Sequence, residues 1–285
     1  MRNKIINGGM GIDQRNANAV LSAPTSGQYA CDRWNYNASQ SGKFATQSAN
    51  IAPFGPPSNA YLNCASNSAY SVGASDFFNI QQSIEANNVT ELFFGTASAK
   101  SVTVSFWANG SIGGTYSGCL KNYAGTRSYP FTFTLTASTW KSISVTIPGD
   151  TSGTWVMTGN GGAMSLCFNL GAGTSALGTA GAWASANYNG ATGSVSTVGT
   201  NGASLAISSV QLESGSQATP FEQRLYGTEL ALCQRYYYGP PASYGPTGQV
   251  FGAGAVVFCF PFPVVMRAVP TFSVNNPALF TASTV

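Results

Sequence analysis

Histidine is absent from this chain of 285 residues. Its absence removes Ser-His-Asp and Cys-His nucleophilic catalysis, imidazole metal ligation and the commonest general base. Charge is scarce as well: Asp, Glu, Lys and Arg make up 7% of the residues, against about a quarter in ordinary globular domains. The nine acids are scattered, and a glycosidase would need two of them facing each other across a cleft. Asp76 and Asp150 are the long-range pair the sequence leaves open, although Asp150 sits in a Pro-Gly-Asp turn that needs no catalysis to explain it. No Cys/Asp/Glu cluster has zinc-ligand spacing, no D-x-D-x-N run suits calcium, and no glycine-rich phosphate cradle precedes a helix. We therefore expect no metal, no cofactor and no enzymatic activity.

Long basic and long apolar runs are missing too. The net charge of +3 is spread along the chain, which argues against a nucleic-acid or anionic-membrane partner. The longest apolar candidate, Val256 to Val265, is too short to span a bilayer and is cut by Pro261 and Pro263, so no membrane insertion is expected. Met1-Arg-Asn-Lys-Ile-Ile-Asn7 carries no apolar signal-peptide core, which leads us to expect folding in a cytoplasm. In that compartment the six cysteines, widely spaced and without a CxxC, read as buried thiols rather than a disulfide framework. Cys119, Cys167 and Cys259 stand in the most strand-like surroundings.

What the chain does have is glycine, small polar residues and rings. With 33 Gly, 17 Phe, 13 Tyr and five Trp, it is turn-rich yet able to bury a core. Apolar and polar residues alternate at 102–108, 131–135, 140–147, 163–169 and 204–212, the period of half-buried strands. Val102, Val104, Phe106 and Ala108 share one face; Thr103, Ser105 and Trp107 share the other. Runs 131–135 and 140–147, split by Thr136–Thr139, read as an antiparallel pair. Residues 3–15 read as a strand with a Gly-Gly kink, and Cys31-Asp-Arg-Trp34 opens another, with Trp34 buried. Leu230 and Cys233 are three apart, with Glu229 early and Arg235 late, the outline of a short helix. The expected fold is all-β, two antiparallel sheets with almost no helix before residue 225.

Several of these stretches carry a resemblance. NGGMGIDQR, CDRW, GTASAKSVTVSFWANGSIGGTYSG, RSYPFTFTL, STWKSISVTIPGDTSGTW, GNGGAMSLCFNLGAG and VQLESGSQATPFEQR with ELALCQRYYY resemble the carbohydrate-binding-like jelly roll of bacteriophage tail-fibre and virion appendage proteins. The resemblance covers most of residues 3–238. It implies a jelly-roll domain over 1–225 and a small β-rich oligomerisation or attachment unit over 226–285, shortened here or continuing past Val285. It also implies a structural virion protein, assembled in the host cytoplasm, with other virion proteins and further copies of itself as partners, in three-fold symmetry. A capsid-attached head fibre or decoration protein is the alternative within the virion. A carbohydrate-binding module of a secreted glycosidase system is the alternative of another class.

Glycan contact needs ring faces for sugar C–H patches and planar amides for hydroxyls. The rings expected in loops are Tyr123, Tyr129, Trp155, Trp183 and Tyr188, with Tyr116 beside them. Trp183 and Tyr188 fall in the long small-residue stretch 171–203, a length usual for functional loops or neighbour-chain contacts. Tyr236, Tyr237, Tyr238, Phe260 and Phe262 are the expected oligomer contacts, because the last sixty residues carry more apolar surface than a lone small unit hides. PFPVVMRAVPTFSV reads as a strand bracketed by prolines.

Overall fold

The computed structural model describes residues 1–50, 55–240, 248–250, 256–258 and 261–271. Its strands are β1 (Tyr29–Cys31), β2 (Trp34–Ala38), β3 (Phe44–Asn50), β4 (Ala60–Ser66), β5 (Phe77–Glu85), β6 (Val102–Gly110), β7 (Gly114–Asn122) and β8 (Ser128–Leu135). There follow β9 (Lys141–Ile147), β10 (Gly162–Ala172), the two-residue β11 (Leu177–Gly178) and β12 (Gly190–Ala191), and β13 (Ser204–Ser214). After the single α-helix α1 (Tyr226–Gln234) come β14 (Gly248–Val250) and β15 (Val256–Phe258), which pair antiparallel. Before α1, helical structure among the described residues is limited to four three-residue 3₁₀ turns.

The long strands form two antiparallel sheets, ordered β1-β2-β5-β10-β7-β8 and β3-β4-β13-β6-β9, packed face to face as a jelly-roll β-sandwich. Phe106 of β6 crosses the gap between them. Its ring stands 4.9 Å from Phe168 of β10 and 5.0 Å from Phe133 of β8, both edge-on. Trp34 lies 6.1 Å from Phe168 and donates its indole N–H to Asn7 O at 3.0 Å, so the ring is buried without an orphaned donor. Each such ring contributes about 1.5–3 kcal/mol of burial. The alternation in β6 has the sense the sequence suggests: Val102, Val104, Phe106 and Ala108 all join the core.

Runs 131–135 and 140–147 do not pair with each other. β8 pairs with β7, whereas β9 pairs with β6 in the other sheet. The link turns through Ser138 at φ 55°, whose N–H donates to Gly110 O at 2.7 Å, and carries the chain across the sandwich. Both runs put alternate apolar residues into one core from opposite sides, so period two is the same for a hairpin and for a sheet-switching arch.

Residues 3–15 also differ from the expected strand. β13 pairs with β4 only through Ile207, then bulges at Ser209, φ 51°. Beyond the bulge the N-terminal segment takes over the vacated edge. Lys4 N donates to Leu212 O and Val210 N to Gly8 O, while the Asn3 amide accepts from Leu212 N at 3.0 Å and donates to Val210 O at 3.1 Å. A side-chain amide thus replaces part of a ladder. Gly8 is required there, since a Cβ would stand 2.1 Å from Val210 O.

The stretch ESGSQATPFEQR closes this arrangement. Glu213, 2% exposed, accepts from Gln211, Thr219 N and Thr219 Oγ1. Glu222 accepts from Asn3 N, and Arg224 donates to Ile5 O and to both Glu222 and Glu229. Helix α1 then lies on the N-terminal segment, with Cys233 against Ile6 and Ile12. The cluster crosses the boundary at residue 225. In PFPVVMRAVPTFSV, expected to hold a strand, residues 261–271 contain none and the rest lie outside the described residues; Pro261, Pro263 and Pro270 each lack the ladder N–H.

Candidate functional site

The expected glycan-contact rings do not form one surface. Tyr129 lies within β8 at 7% exposure and Tyr116 within β7 at 0%, so both belong to strands and core rather than to loops. Trp183 does come to Tyr129 and Trp155, at 5.3 and 5.6 Å between ring centroids, and the two indoles meet Phe94 at 5.9 and 4.8 Å. All four contacts are edge-to-face, and both indoles are half-buried. Their polar ends are occupied: Trp183 Nε1 donates to Pro148 O at 2.7 Å, and Trp155 Nε1 to Asp150 Oδ2 and Ser152 O.

The cluster is locked by an ion pair between a buried acid and a half-buried arginine. Asp150, 2% exposed, accepts Arg127 Nε at 2.7 Å and Nη2 at 2.6 Å, while Arg127 Nη1 reaches Ser185 Oγ at 2.9 Å. The Asp150 hydrogen bond raises the Arg127 pKa above its ordinary value. Asp76 sits at the opposite end of β5, where Ser39, the Gly73 amide and Tyr70 hold its carboxyl below the usual range. The two acids share no partner, Asp150 being held by Arg127, Ser152 and Trp155, so nothing pairs them for acid–base work. Among the described residues no group of three His, Cys, Asp or Glu side chains is placed to hold a metal.

Tyr123 and Tyr188 stand apart from that cluster. Tyr123 is 62% exposed and lies against Gly162. Tyr188, half-buried, lies on Gly178, where a Cβ would come within 2.2 Å of its ring. The stretch that carries Tyr188, residues 177–194, covers part of the outer face of the six-stranded sheet. Ser128 Oγ donates to Ala186 O, Ser117 Oγ to Ser194 Oγ, and the Asn79 amide to Asn189 Oδ1.

That outer face is polar and carries few rings. Its register brings one row of Asn35, Gln81, Cys167 and Cys119 together, and beside it rows containing Asn37, Asn79 and Asn169 and, on the other side, Ser83, Ser165 and Lys121. Asn35, Asn37, Gln81 and Ser83 are half-buried, whereas Asn79, Ser165, Asn169 and Lys121 are buried. The floor is therefore made of planar amides and hydroxyls, open over β2 and β5 and roofed over β7 and β10. Its signal is present in β5 itself: FFNIQQSIE sends Asn79, Gln81 and Ser83 to one side.

A groove of about 350 Å³ lies elsewhere, between Gly8, Gly9 and Ser58 and the clasp residues Phe221, Arg224 and Tyr226. The carboxylates at its rim, Glu222 and Glu229, are held by Arg224.

Tyr236, Tyr237 and Tyr238 follow α1 and are not in a strand. Their rings have partners within the chain: Arg33 stands 3.5 Å over Tyr236, Arg15 3.7 Å over Tyr237, and Phe262 lies 6.3 Å from Tyr238. Phe260 lies outside the described residues. Cys31, Cys64, Cys119, Cys167 and Cys233 are buried and unpaired, and Cys259 also lies outside the described residues.

No protein-family model matches the chain, and no curated protein does. Among solved structures it is similar to the enzymatically active domain of tailspike protein 4 of bacteriophage CBA120, at 10% identity and a TM-score of 0.39, over 75% of this chain and 21% of that one. The chain thus spans about a fifth of the tailspike structure it matches. It is also similar to a CBM4 structure, at 11% identity and TM-score 0.39 over 73% of this chain and 98% of that one. TmCBM61 in complex with β-1,4-galactotriose is a third, at 13% identity and TM-score 0.37, covering 75% of this chain and all of the other.

Proposed function

We propose that the chain is a non-catalytic, glycan-contacting structural protein of a phage appendage, such as a tail fibre or spike. The observation that carries glycan contact is the outer face of the six-stranded sheet. A half-buried sheet face built from Asn35, Asn37, Gln81 and Ser83, with the Tyr188 ring held against Gly178 beside it, offers amide donors and acceptors and an aromatic ring to a polyhydroxylated ligand. The Asn35 amide has no partner among the described residues, and the Gln81 carbonyl is met only by Cys167 Sγ at 3.5 Å and Asn37 at 3.4 Å. Such a face has hydrogen-bonding capacity to give. The phage assignment is supported by the motifs NGGMGIDQR, CDRW and VQLESGSQATPFEQR, which build the N-terminal edge and clasp described above. The lack of catalysis is supported by the missing histidine and by the pairing of Asp150 with Arg127.

The test is binding of the full-length protein to a panel of bacterial surface polysaccharides. Asn35→Ala with Gln81→Ala should weaken binding by about tenfold or more without changing the melting temperature. Trp183→Ala, measured alongside, separates the sheet face from the aromatic end. Binding that survives Asn35→Ala/Gln81→Ala and is lost on changing Trp183 alone would move the site to the aromatic cluster. A protein that binds no saccharide of the panel would end the glycan reading.

A further inference from the structure

The same outer face holds two cations without counter-charges. Lys121 and Arg33 are each 8% exposed, yet neither forms an ion pair among the described residues. Lys121 Nζ is held by two neutral oxygens, Asn187 Oδ1 at 3.1 Å and Asn189 Oδ1 at 2.8 Å. Arg33 donates from Nη2 to Ser83 O and lies on the Tyr236 ring, while its Nε is buried with no partner at all. Burial pushes the Arg33 guanidinium below its ordinary value. Between the two cations lies a hydroxyl bridge, Ser83 Oγ to Ser165 Oγ at 3.0 Å. Lys121 pairs in register with Ser165 and Ser165 with Ser83, so the row runs from β7 through β10 to β5 and ends at Arg33 beside β2. Three strand spacings separate its ends, about 14 Å.

The surrounding charge does not balance them. The acids near Arg33 are already held: Glu85 by Arg235 at 2.7 Å and Tyr236 Oη at 2.7 Å, and Asp32 by Arg15 at 3.3 Å. Arg267 adds a further cation nearby, donating to Asn160 O and reaching 5.9 Å from the Tyr236 ring. A cation taken out of water is ordinarily paired, because amide dipoles replace only part of its hydration. Here amide and carbonyl oxygens and the Tyr236 ring face are the supply, none of them charged, and one guanidinium nitrogen has no hydrogen-bond partner. An anion entering from the open β2–β5 side would restore the missing partner with charge-assisted hydrogen bonds.

We propose that this face binds acidic saccharides, with Lys121 and Arg33 receiving the anionic substituents and the amide rows receiving the hydroxyls. The proposal rests on the glycan reading above and narrows it to a ligand class. Phosphate, sulfate and carboxylate share the required chemistry.

The test uses the full-length protein and a pair of polymers with one backbone: polygalacturonate and its fully methyl-esterified form, with a glycerol-phosphate polymer and single-stranded DNA as further arms. Polygalacturonate should bind at least about tenfold more tightly than the ester, with the preference shrinking as salt rises. Lys121→Gln, which keeps a hydrogen-bonding group beside Asn187 and Asn189, should reduce the preference to about twofold or less. The wild-type salt dependence keeps the test decisive if that variant fails to fold. Tighter binding of the glycerol-phosphate polymer, which carries no sugar ring, than of polygalacturonate would overturn the saccharide part of the proposal and leave a site for anions alone. Equal affinity for acid and ester would overturn it while leaving the glycan reading standing. DNA bound as tightly as the acidic sugar would also overturn it, since charge alone would then explain binding. No binding to any saccharide would remove both.

Discussion

Asp150 receives four donors: two nitrogens of Arg127, the Trp155 indole and the Ser152 amide. Asp150 is buried and Arg127 half-buried, so the loss of Arg127 strands the carboxylate's charge. Arg127→Ala should therefore destabilise the protein by about 3–5 kcal/mol in urea unfolding, more than an exposed pair warrants. Arg127→Lys should recover only part of that loss, because a lysine cannot make the forked contact while also reaching Ser185. Loosening of Trp155 and Trp183 should accompany it as a red shift in tryptophan emission. The thiols give a second prediction at this scale. Burial raises the pKa of Cys31, Cys64, Cys119, Cys167 and Cys233, which keeps them as unreactive thiols near neutrality. A folded-state pKa above the unfolded value contributes stability at neutral pH that is lost as pH rises past the unfolded thiol value, about 8.5. Alkylation by iodoacetamide should be negligible at these five positions at neutral pH and should follow unfolding in the alkaline range. Rapid labelling of Cys119 or Cys167 in the native state would contradict the buried setting.

Helix α1 depends on partners outside itself. Its N-cap residue, Leu225, makes no side-chain cap, and the helix is nine residues long, too short to persist alone. Cys233 packs on Ile6 and Ile12, and the residues just after the helix, Arg235 and Tyr236, grip Glu85. Burial acts to raise the Glu85 pKa, but the hydrogen bonds from Arg235 and Tyr236 outweigh it and hold the carboxyl below its ordinary value. A depressed carboxylate contributes stability above the unfolded value, about 4.3, and loses it as pH falls through the folded value. Acid should therefore release α1 before the sheets. Amide exchange at 226–236 should accelerate below about pH 4 while β10 stays protected, and Glu85→Gln should bring the same acceleration to neutral pH. How much of this was legible in the residues differs by element. The strands and the helix follow from alternation and from the Leu230/Cys233 spacing, since those patterns report which side of a backbone meets a core. Pairing is another matter: β8 and β9 alternate alike whether they form a hairpin or belong to opposite sheets. Asn3, standing in for a ladder at the β13 bulge, leaves no periodic trace. The aromatic candidates were chosen as rings outside expected strands, and Tyr129 fell inside one. The amide face escaped because Asn79, Gln81 and Ser83 look like ordinary outward positions until β10 and β2 bring matching amides alongside.

Most of the chain buries its rings within one sandwich, but large apolar side chains remain exposed past Arg224. Leu225 is 82% exposed, Tyr226 68%, Val265 83% and Val269 96%. A chain with 7% charged residues has little else to keep such surface apart in solution. We expect these side chains to be covered by other copies in closed cyclic symmetry, and the resemblance to phage appendages implies three-fold symmetry. The packing of α1 sets how this must be tested. A chain ending at Arg224 would strip Ile6 and Ile12 of their cover, and its behaviour would report damage to the sandwich instead of assembly. Ending the chain at Gly239 keeps α1 and Tyr236–Tyr238 while removing Val265 and Val269. Sedimentation equilibrium should show a defined oligomer for the full-length protein. The chain ending at Gly239 should be a folded monomer, its melting temperature lowered only by the loss of the Arg267 and Phe262 contacts. Leu225→Ser with Val269→Ser in the full chain should weaken association by about tenfold or more, since two buried apolar side chains together carry well over 1.4 kcal/mol. Full-length protein that sediments as a monomer at micromolar concentration would reject the arrangement. An oligomer that survives the cut at Gly239 would instead place the contact on Leu225 and Tyr226 or on the sandwich.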